Sequence, residues 1–421
     1  MSDKVSFTEL LTTIGVKAPN ENSGKGWDEI LAQYDESSLS FLTPEFVREQ
    51  CAILKMGADV ADGLANGLRL FAGVPVLKQF AWYCREQFFG GSCRDGSVAR
   101  DWPAIPDTVH ESASLFYVYV YLSGAKQTID HQTSMGIDPA ITLDTLSDME
   151  LWIRDTKKKR GRWGFYQQGW LALHFASQIF KLGRLQFNFG RYNLPFEVLR
   201  RKKDGKVVVL VHKDFKFRKD GQFDGVSKIT DPNPWMSEYE ETDDYVAGTP
   251  ISPLGHALNK TVKLSKKSWV KILKDGDTTF GTHIPATGPM THEECGESFR
   301  RGVEFFPKYF PEHKLNAFMC SSWLLDPQFE KALKPDSNIV RFLQEWYLLP
   351  YQWATDSSTM ERVFGGPVTD LDKAPQETSL QRAIIAHMKA GGKWHGESGL
   401  IFPEDLDWGK QVYRTTKAYV L

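Results

Sequence analysis

An α+β fold is expected, with a helical first part over residues 1–182 and a mixed, mainly antiparallel sheet flanked by helices over residues 183–421. Three observations predict it. Apolar residues recur at three- and four-residue spacing up to about Leu182, the period of a helix face. From residue 184 onward they alternate, with Asp-Gly pairs between the runs, which is the period and turn chemistry of strands. A well-signalled helix over 291–310 then leads into a short apolar strand and more helical segments. At 421 residues the chain also exceeds what one hydrophobic core usually spans, so two or three domains are expected.

Thr43-Pro44-Glu45 is a helix start, and Phe46, Val47, Cys51, Ile53 and Leu54 continue the period. Further helices are expected over 74–89, 109–124 and 143–159, the last carrying Leu143, Leu146, Met149, Trp152 and Ile153 on one face. The basic run at 154–162 reads either as the solvated end of that helix, where cations complement the dipole, or as a binding patch. Residues 163–182 read as one more aromatic helix. Leu185, Phe187 and Phe189 then alternate along a strand over 184–192. Runs 196–201 and 207–213 form a hairpin around Asp204-Gly205, a type I′ signal, and Asp220-Gly221 is a second turn.

Residues 231–248, acidic and proline-bearing, read as a loop; Glu240, Glu241, Asp243 and Asp244 lack calcium-loop spacing. Strands are expected over 261–264, 268–273 and 278–284. Thr291 and Glu294 form a capping box for the helix 291–310, Phe299, Val303, Phe306 and Phe310 mark its buried face, and Pro307 kinks its last turn. A strand over 317–325 follows, then Asp326 as N-cap and Pro327 at the first position of a short helix. Segments 337–349, 379–390 and 399–402 complete the domain.

Lys plus Arg number 51 against 53 Asp plus Glu, so no basic surplus is available to neutralise a phosphate backbone, and nucleic acid is not expected as the main partner. The start lacks the pattern of a signal peptide and no run of about 18 apolar residues occurs, so a cytoplasmic location without stable membrane insertion is expected. The five cysteines, Cys51, Cys84, Cys93, Cys295 and Cys320, are scattered and unpaired in sequence, which argues against a disulfide framework or a zinc site. Neither GxSxG nor HExxH occurs, no internal repeat is visible, and the scattered carboxylates have no spacing that recommends a hydrolase. The thirteen Trp residues fill a core, line a ligand groove, or both.

The runs GRLQF at 183–187, HIPATGP at 283–289, CSSWLLDPQF at 320–329, SNIVRF at 337–342 and TSLQRAIIAHMKAGG at 378–392 carry a resemblance. They resemble a bacterial family of acyltransferase-domain proteins in which a helical N-acyltransferase N-terminal domain precedes a GNAT-like C-terminal domain. The resemblance covers about residues 39–402. It implies domains at 1–182 and 183–421 and transfer of an acyl group from acyl-CoA or acetyl-CoA, as co-substrate, to an amine or hydroxyl of a small-molecule or lipid-precursor acceptor. No metal is expected. In most GNAT enzymes a Gln/Arg-x-x-Gly-x-Gly/Ala loop after the fourth strand wraps the CoA pyrophosphate. Here that loop reads IPATGPMT, from Ile284 to Thr291, without the basic first residue. Backbone N–H groups of Thr287, Gly288, Met290 and Thr291 at the helix start still suit an anion, while Pro289 offers none.

Amine acyl transfer needs a base, an acid for the leaving thiolate and donors for the oxyanion. His283, near the end of the strand before the capped helix, is the expected base, a structural histidine being the alternative. His292 sits in the first helical turn, where a surface role is expected. Alternation puts Cys320 and Ser322 on one face of the next strand, Ser322 as a donor to the thiolate through a water, Cys320 as a covalent acyl carrier or as an inert buried thiol. Trp323 walls the acyl chain or pantetheine and Asp326 flanks the site or caps a helix. Arg184 and Gln186, at the expected domain junction, offer a clamp for a carboxylate or phosphate of the acceptor, or a structural ion pair; Arg362 has the same two readings. The aromatic N-terminal helices are expected to shape the acceptor pocket. The competing function is a non-catalytic GNAT-like ligand-binding or assembly protein, which the altered loop favours.

Overall fold

A computed structural model describes residues 4–91 and 95–415. The chain divides into two compact units, residues 1–182 with 285–287, and residues 183–284 with 288–421. Cys93 lies outside the described residues, and the other four cysteines are buried and free.

The first unit is helical because its apolar stripes close around one central helix. Phe116–Ser123 has every side chain from Phe116 to Leu122 buried, so it is apolar on all sides rather than amphipathic. Pro44–Ile53 begins where Thr43 accepts from the Phe46 amide and Pro44 occupies the first turn. Phe80 of Val76–Phe89 stacks on Phe116 at 5.0 Å, and Trp102 stacks on Tyr117 at 5.3 Å. The buried phenols are satisfied by carbonyls: Tyr117 donates to Pro103 at 2.6 Å and Tyr119 to Leu64 at 2.8 Å. Aromatic rings thus fill this core, each worth about 1.5–3 kcal/mol of burial.

Two helical expectations are corrected in this unit. Residues 143–159 are not one helix but the end of Pro139–Leu146 and most of Asp148–Arg160, parted at Ser147, whose hydroxyl donates back to the Asp144 carbonyl. Residues 163–182 are helical only over Gln168–Phe175; Ser177 turns the chain with φ +58° and Ile179–Leu182 is a strand. The basic run is a helix end, closed by Gly161 at φ +71°, with Arg154 on Asp59 and Glu150. Among the described residues no single helix is long and apolar enough to cross a membrane.

In the second unit, Leu185–Arg191 pairs antiparallel with Thr278–His283, which pairs parallel with Phe318–Ser322. That strand pairs antiparallel with Glu397–Ile401, which pairs antiparallel with Tyr347–Leu349. The crossover between the two parallel strands is the helix His292–Tyr309. It buries Phe299 and Phe306 against Phe187, Phe280 and Phe318 of the sheet. A second sheet holds Phe196–Arg201, Val207–Val211 and Trp269–Leu273 with the short strands Pro250–Ser252 and His256–Ala257.

Several local expectations change here. The acidic stretch 231–248 is not a loop: Tyr239–Glu241 and Tyr245–Gly248 pair with each other, and the latter with Val262–Ser265. Only Gly205, not Asp204, takes positive φ, so the hairpin turn is not type I′; Gly205 donates to the Arg201 carbonyl across a longer loop. Thr291 caps its helix, accepting from the Glu294 amide, but Glu294 receives the Thr291 hydroxyl instead of closing a box. The strand expected over 317–325 ends at Ser322, and Trp323–Leu325 is a 3-10 turn. Asp326 does not cap a helix starting at Pro327; the next helix is Phe329–Ala332.

Candidate active site

The two parallel strands are paired only at Phe280 with Phe318 and Gly281 with Met319, yet they run on to His283 and Ser322. Beyond Gly281 and Met319 they part. Each stays paired to its outer neighbour, with His283 opposite Gln186 and Ser322 opposite Glu397, so the alternation of side chains is preserved to both ends. The result is a gap in the sheet with backbone groups on both edges, the feature that strand addition by an extended ligand requires.

Register decides which side chains share a face. Phe280, Thr282, Phe318, Cys320, Ser322 and Glu397 point toward the helix His292–Tyr309, whereas Asn188, Gly281, His283, Met319, Ser321 and Ser398 point the other way. On this second face His283 is half-buried and Ser321 exposed. The amide of Asn188 donates to the Phe189 carbonyl at 2.9 Å, which turns its Oδ1 toward His283 Nε2 at 2.7 Å. With Oδ1 as acceptor, Nε2 is the donor of this contact, and in the neutral tautomer that fits it the lone pair is on Nδ1. Gly281 lies beneath this pair; a Cβ there would overlap Asn188 Oδ1 and come within 3.4 Å of His283 Nε2. Across the gap Ser321 Oγ and Ser398 Oγ are 2.7 Å apart.

The expected grouping of His283 with Cys320 and Ser322 is therefore corrected. Cys320 is buried, and burial pushes its thiol up to about 12, so it is not a thiolate acyl carrier near neutral pH. Ser322 lies on the face away from His283, and its Oγ accepts from the Leu324 amide. Trp323 follows it on the 3-10 turn.

Arg184 meets the loop: Nε donates to the Pro289 carbonyl at 2.9 Å and Nη2 to the Gly288 carbonyl at 3.0 Å, and burial lowers its pKa. Gln186 is buried opposite His283. Ile284 is half-buried, Met290 is buried, and Gly288 takes φ +121°, where a side chain would be strained. The Thr287 amide donates to the Pro285 carbonyl, so it is spent within the loop and is no longer a donor for phosphate. Thr291 is the helix cap. Arg362 is exposed on Ser357–Phe364, away from the strands of the gap in sequence and element. His292, expected at the surface, is buried, with Nε2 3.0 Å from Glu345 Oε1 and Nδ1 3.0 Å from Arg341.

A model of the N-acyltransferase N-terminal domain matches residues 45–177, and a model of the GNAT-like C-terminal domain matches residues 179–401. The chain belongs to this acyltransferase family. Solved structures of the same fold include an acyltransferase in complex with CoA and 10C-teicoplanin, 23% identical, with TM-score 0.62 over 94% of this chain and 98% of that chain. An acyltransferase in complex with decanoyl-CoA and teicoplanin is also 23% identical, with TM-score 0.60 over the same shares. A third, a mutant acyltransferase in complex with octanoyl-CoA, covers 89% of this chain and 99% of that chain at 23% identity and TM-score 0.58. No curated protein sequence matches the chain.

Sequence reasoning counted Ser321 among the hydroxyls of the strand Phe318–Ser322 but gave it no role, and it missed Asn188, Ser398 and a buried acid–histidine group beside Ser322. Asp326, His395 and Glu397 are all at least nine-tenths buried. His395 Nδ1 lies 3.4 Å from Glu397 Oε1, and the His395 amide donates to Asp326 at 2.8 Å. The available signals were Gly281, a glycine inside a strand pattern that marks a close approach, and the motif His395-Gly396-Glu397, whose ends fall on one side of an extended chain. Among the described residues no group of three or more His, Cys, Asp or Glu could hold a metal ion.

Proposed function

We propose that this acyltransferase-family chain moves an acyl group from acyl-CoA to an amine or hydroxyl of a small-molecule acceptor, with His283 as base. The observation that carries the proposal is the parting of two parallel strands beside a half-buried histidine whose tautomer is fixed by Asn188. The pantetheine amides pair with the open strand edges, and the thioester reaches the face that holds His283 and Ser321. His283 Nδ1 takes the proton of the attacking group, the new C–N or C–O bond forms, the C–S bond breaks, and the thiolate leaves protonated by the imidazolium or by water. Ser321, paired with Ser398, supplies a hydroxyl donor to the developing charge.

Three comparisons support medium acyl chains as the first to test, since the similar structures hold decanoyl-CoA with teicoplanin, octanoyl-CoA, or CoA with 10C-teicoplanin. We place the domain boundary at residue 182 and the reaction in the cytoplasm, consistent with a CoA thioester and with four buried free thiols. The test is thiol release from octanoyl-CoA and decanoyl-CoA with mixed amine acceptors. His283→Ala should lower kcat about 10²- to 10⁴-fold and leave acyl-CoA affinity within about twofold. Unchanged turnover would remove His283 as base, and no CoA binding at millimolar concentration would leave the ligand-binding or assembly alternative.

A further inference from the structure

Three buried ionisable groups that the proposed chemistry does not use meet at the end of Phe318–Ser322. Asp326 follows the 3-10 turn after Ser322 and is fully buried. Its carboxylate receives the Gln328 amide at 2.9 Å, the Gln328 side chain at 3.1 Å and, from a distant part of the chain, the His395 amide at 2.8 Å. One carboxylate thereby ties the exit of Phe318–Ser322 to the segment that enters Glu397–Ile401. The two backbones meet here: a Cβ on Gly396 would sit 3.0 Å from the Ser322 carbonyl oxygen. The His395 ring then reaches Glu397, which stands opposite Ser322 in the ladder and is itself fully buried.

The surroundings are closely built. Gln222 donates to Glu397 Oε1 at 2.9 Å and to the Gly255 carbonyl at 2.7 Å, and Gly255, at φ +84°, comes near enough that a Cβ would lie 3.5 Å from Glu397 Cδ. Arg218, buried and paired with Asp220 at 3.0 Å, opposes the charge of His395, and Asp220 in turn faces both His395 and His256. Glu397 Oε2 and His395 Nδ1 make no hydrogen bond. A buried ion pair is a weak source of stability, and an apolar substitute would pack as well. Three such groups at the exit of one strand instead fix a geometry.

We propose that Asp326, His395 and Glu397 act as one positioning unit, a buried histidine whose backbone amide is held by one carboxylate and whose ring reaches another, which pins the end of Phe318–Ser322 and so sets the gap that admits the thioester. The link to the thioester rests on the acyl-transfer reading; the pinning does not. Burial by itself disfavours the imidazolium, but Glu397 and Asp326 outweigh it and hold His395 up at about 9. Burial raises Glu397 to about 7, against the pull of His395, and raises Asp326 as well. The signs follow. A histidine raised from 6.5 contributes stability that is complete below about 6.5 and is lost as pH climbs through about 9. The raised Glu397 carboxyl costs stability as pH climbs from its ordinary 4.5 through about 7, so both groups loosen the unit toward alkali.

The test is amide hydrogen exchange of the full chain, without CoA, from pH 6 to 10 and corrected for the intrinsic rate, read in peptides covering 318–326. The wild type should lose protection progressively from about pH 6.5, by at least about tenfold in all, and level off above about pH 9, where His395 has lost its proton. In Glu397→Gln the imidazolium has lost one partner, and the pH at which the fall levels off should move down by at least about one pH unit, the change expected when one neighbouring charge is removed. The same levelling-off pH in both proteins, or no fall in the wild type between about pH 6.5 and 9, would overturn the proposal. Should Glu397→Gln fail to fold, histidine-selective ¹³C NMR of the wild type decides: titration of His395 near 9 supports the unit, and titration near 6.5 refutes it. Because no arm uses acyl-CoA, failure here is separate from failure of acyl transfer.

Discussion

Gly281 shows how much one missing side chain does in this site. It stands in the middle of a strand, where glycine ordinarily weakens packing, and its place under Asn188 and His283 leaves no room for a methyl group. We expect Gly281→Ala to displace Asn188 Oδ1 and release His283 from its tautomer, lowering kcat by at least about tenfold while the melting temperature changes by only a few degrees, the scale of about 1 kcal/mol. A kcat within twofold of wild type would show that the His283–Asn188 bond does not set the base. His283 was legible in the sequence because its position before a capped helix follows from local signals. Its partners were not. Whether Ser321 or Ser322 shares its face depends on the register between two strands separated by a whole crossover helix, and no local pattern fixes that register. His395 and Glu397 were hidden for a related reason, since their meaning comes from Asp326, sixty-nine positions from His395.

At the scale of elements, the loop between the first parallel strand and its helix is held by Arg184. Two donors from one guanidinium grip the Gly288 and Pro289 carbonyls, and the helix start is capped by Thr291. The bond to the Pro289 carbonyl turns the Met290 amide, which shares its peptide plane, away from Arg184. Arg184→Gln loses two hydrogen bonds of about 0.5–1.5 kcal/mol each, and we expect CoA to bind about 5- to 50-fold more weakly by calorimetry, with kcat at saturation nearly unchanged. An unchanged affinity would separate Arg184 from CoA binding. Long amphipathic elements such as the helices beginning at Pro44 and His292 were legible, since caps and apolar period agree there. The short strands Tyr239–Glu241 and Tyr245–Gly248 were not, because acidic residues on an exposed strand face look like a loop until their partner Val262–Ser265 is known. The break at Ser147 and the strand Ile179–Leu182 were lost for the opposite reason: apolar periodicity continues across a change of element.

On the scale of the whole molecule, an α+β chain with a helical first unit and a GNAT-like second unit was legible from the switch of period near residue 183 together with the family-specific runs. Charge balance and cysteine placement narrowed the partners but named no acceptor, because recognition of an acceptor is set by side chains brought together from many elements. The central claim is that acyl-CoA enters the second unit where the strands ending at His283 and Ser322 part. Calorimetric titration with decanoyl-CoA of the wild type and of Ser321→Phe, which fills the gap from its exposed edge, tests this most directly. We expect binding in the micromolar range for the wild type, about −8 kcal/mol, and at least about tenfold weaker binding for Ser321→Phe at unchanged melting temperature. Equal affinity of the two proteins, or no binding by the wild type at millimolar ligand, would contradict the account.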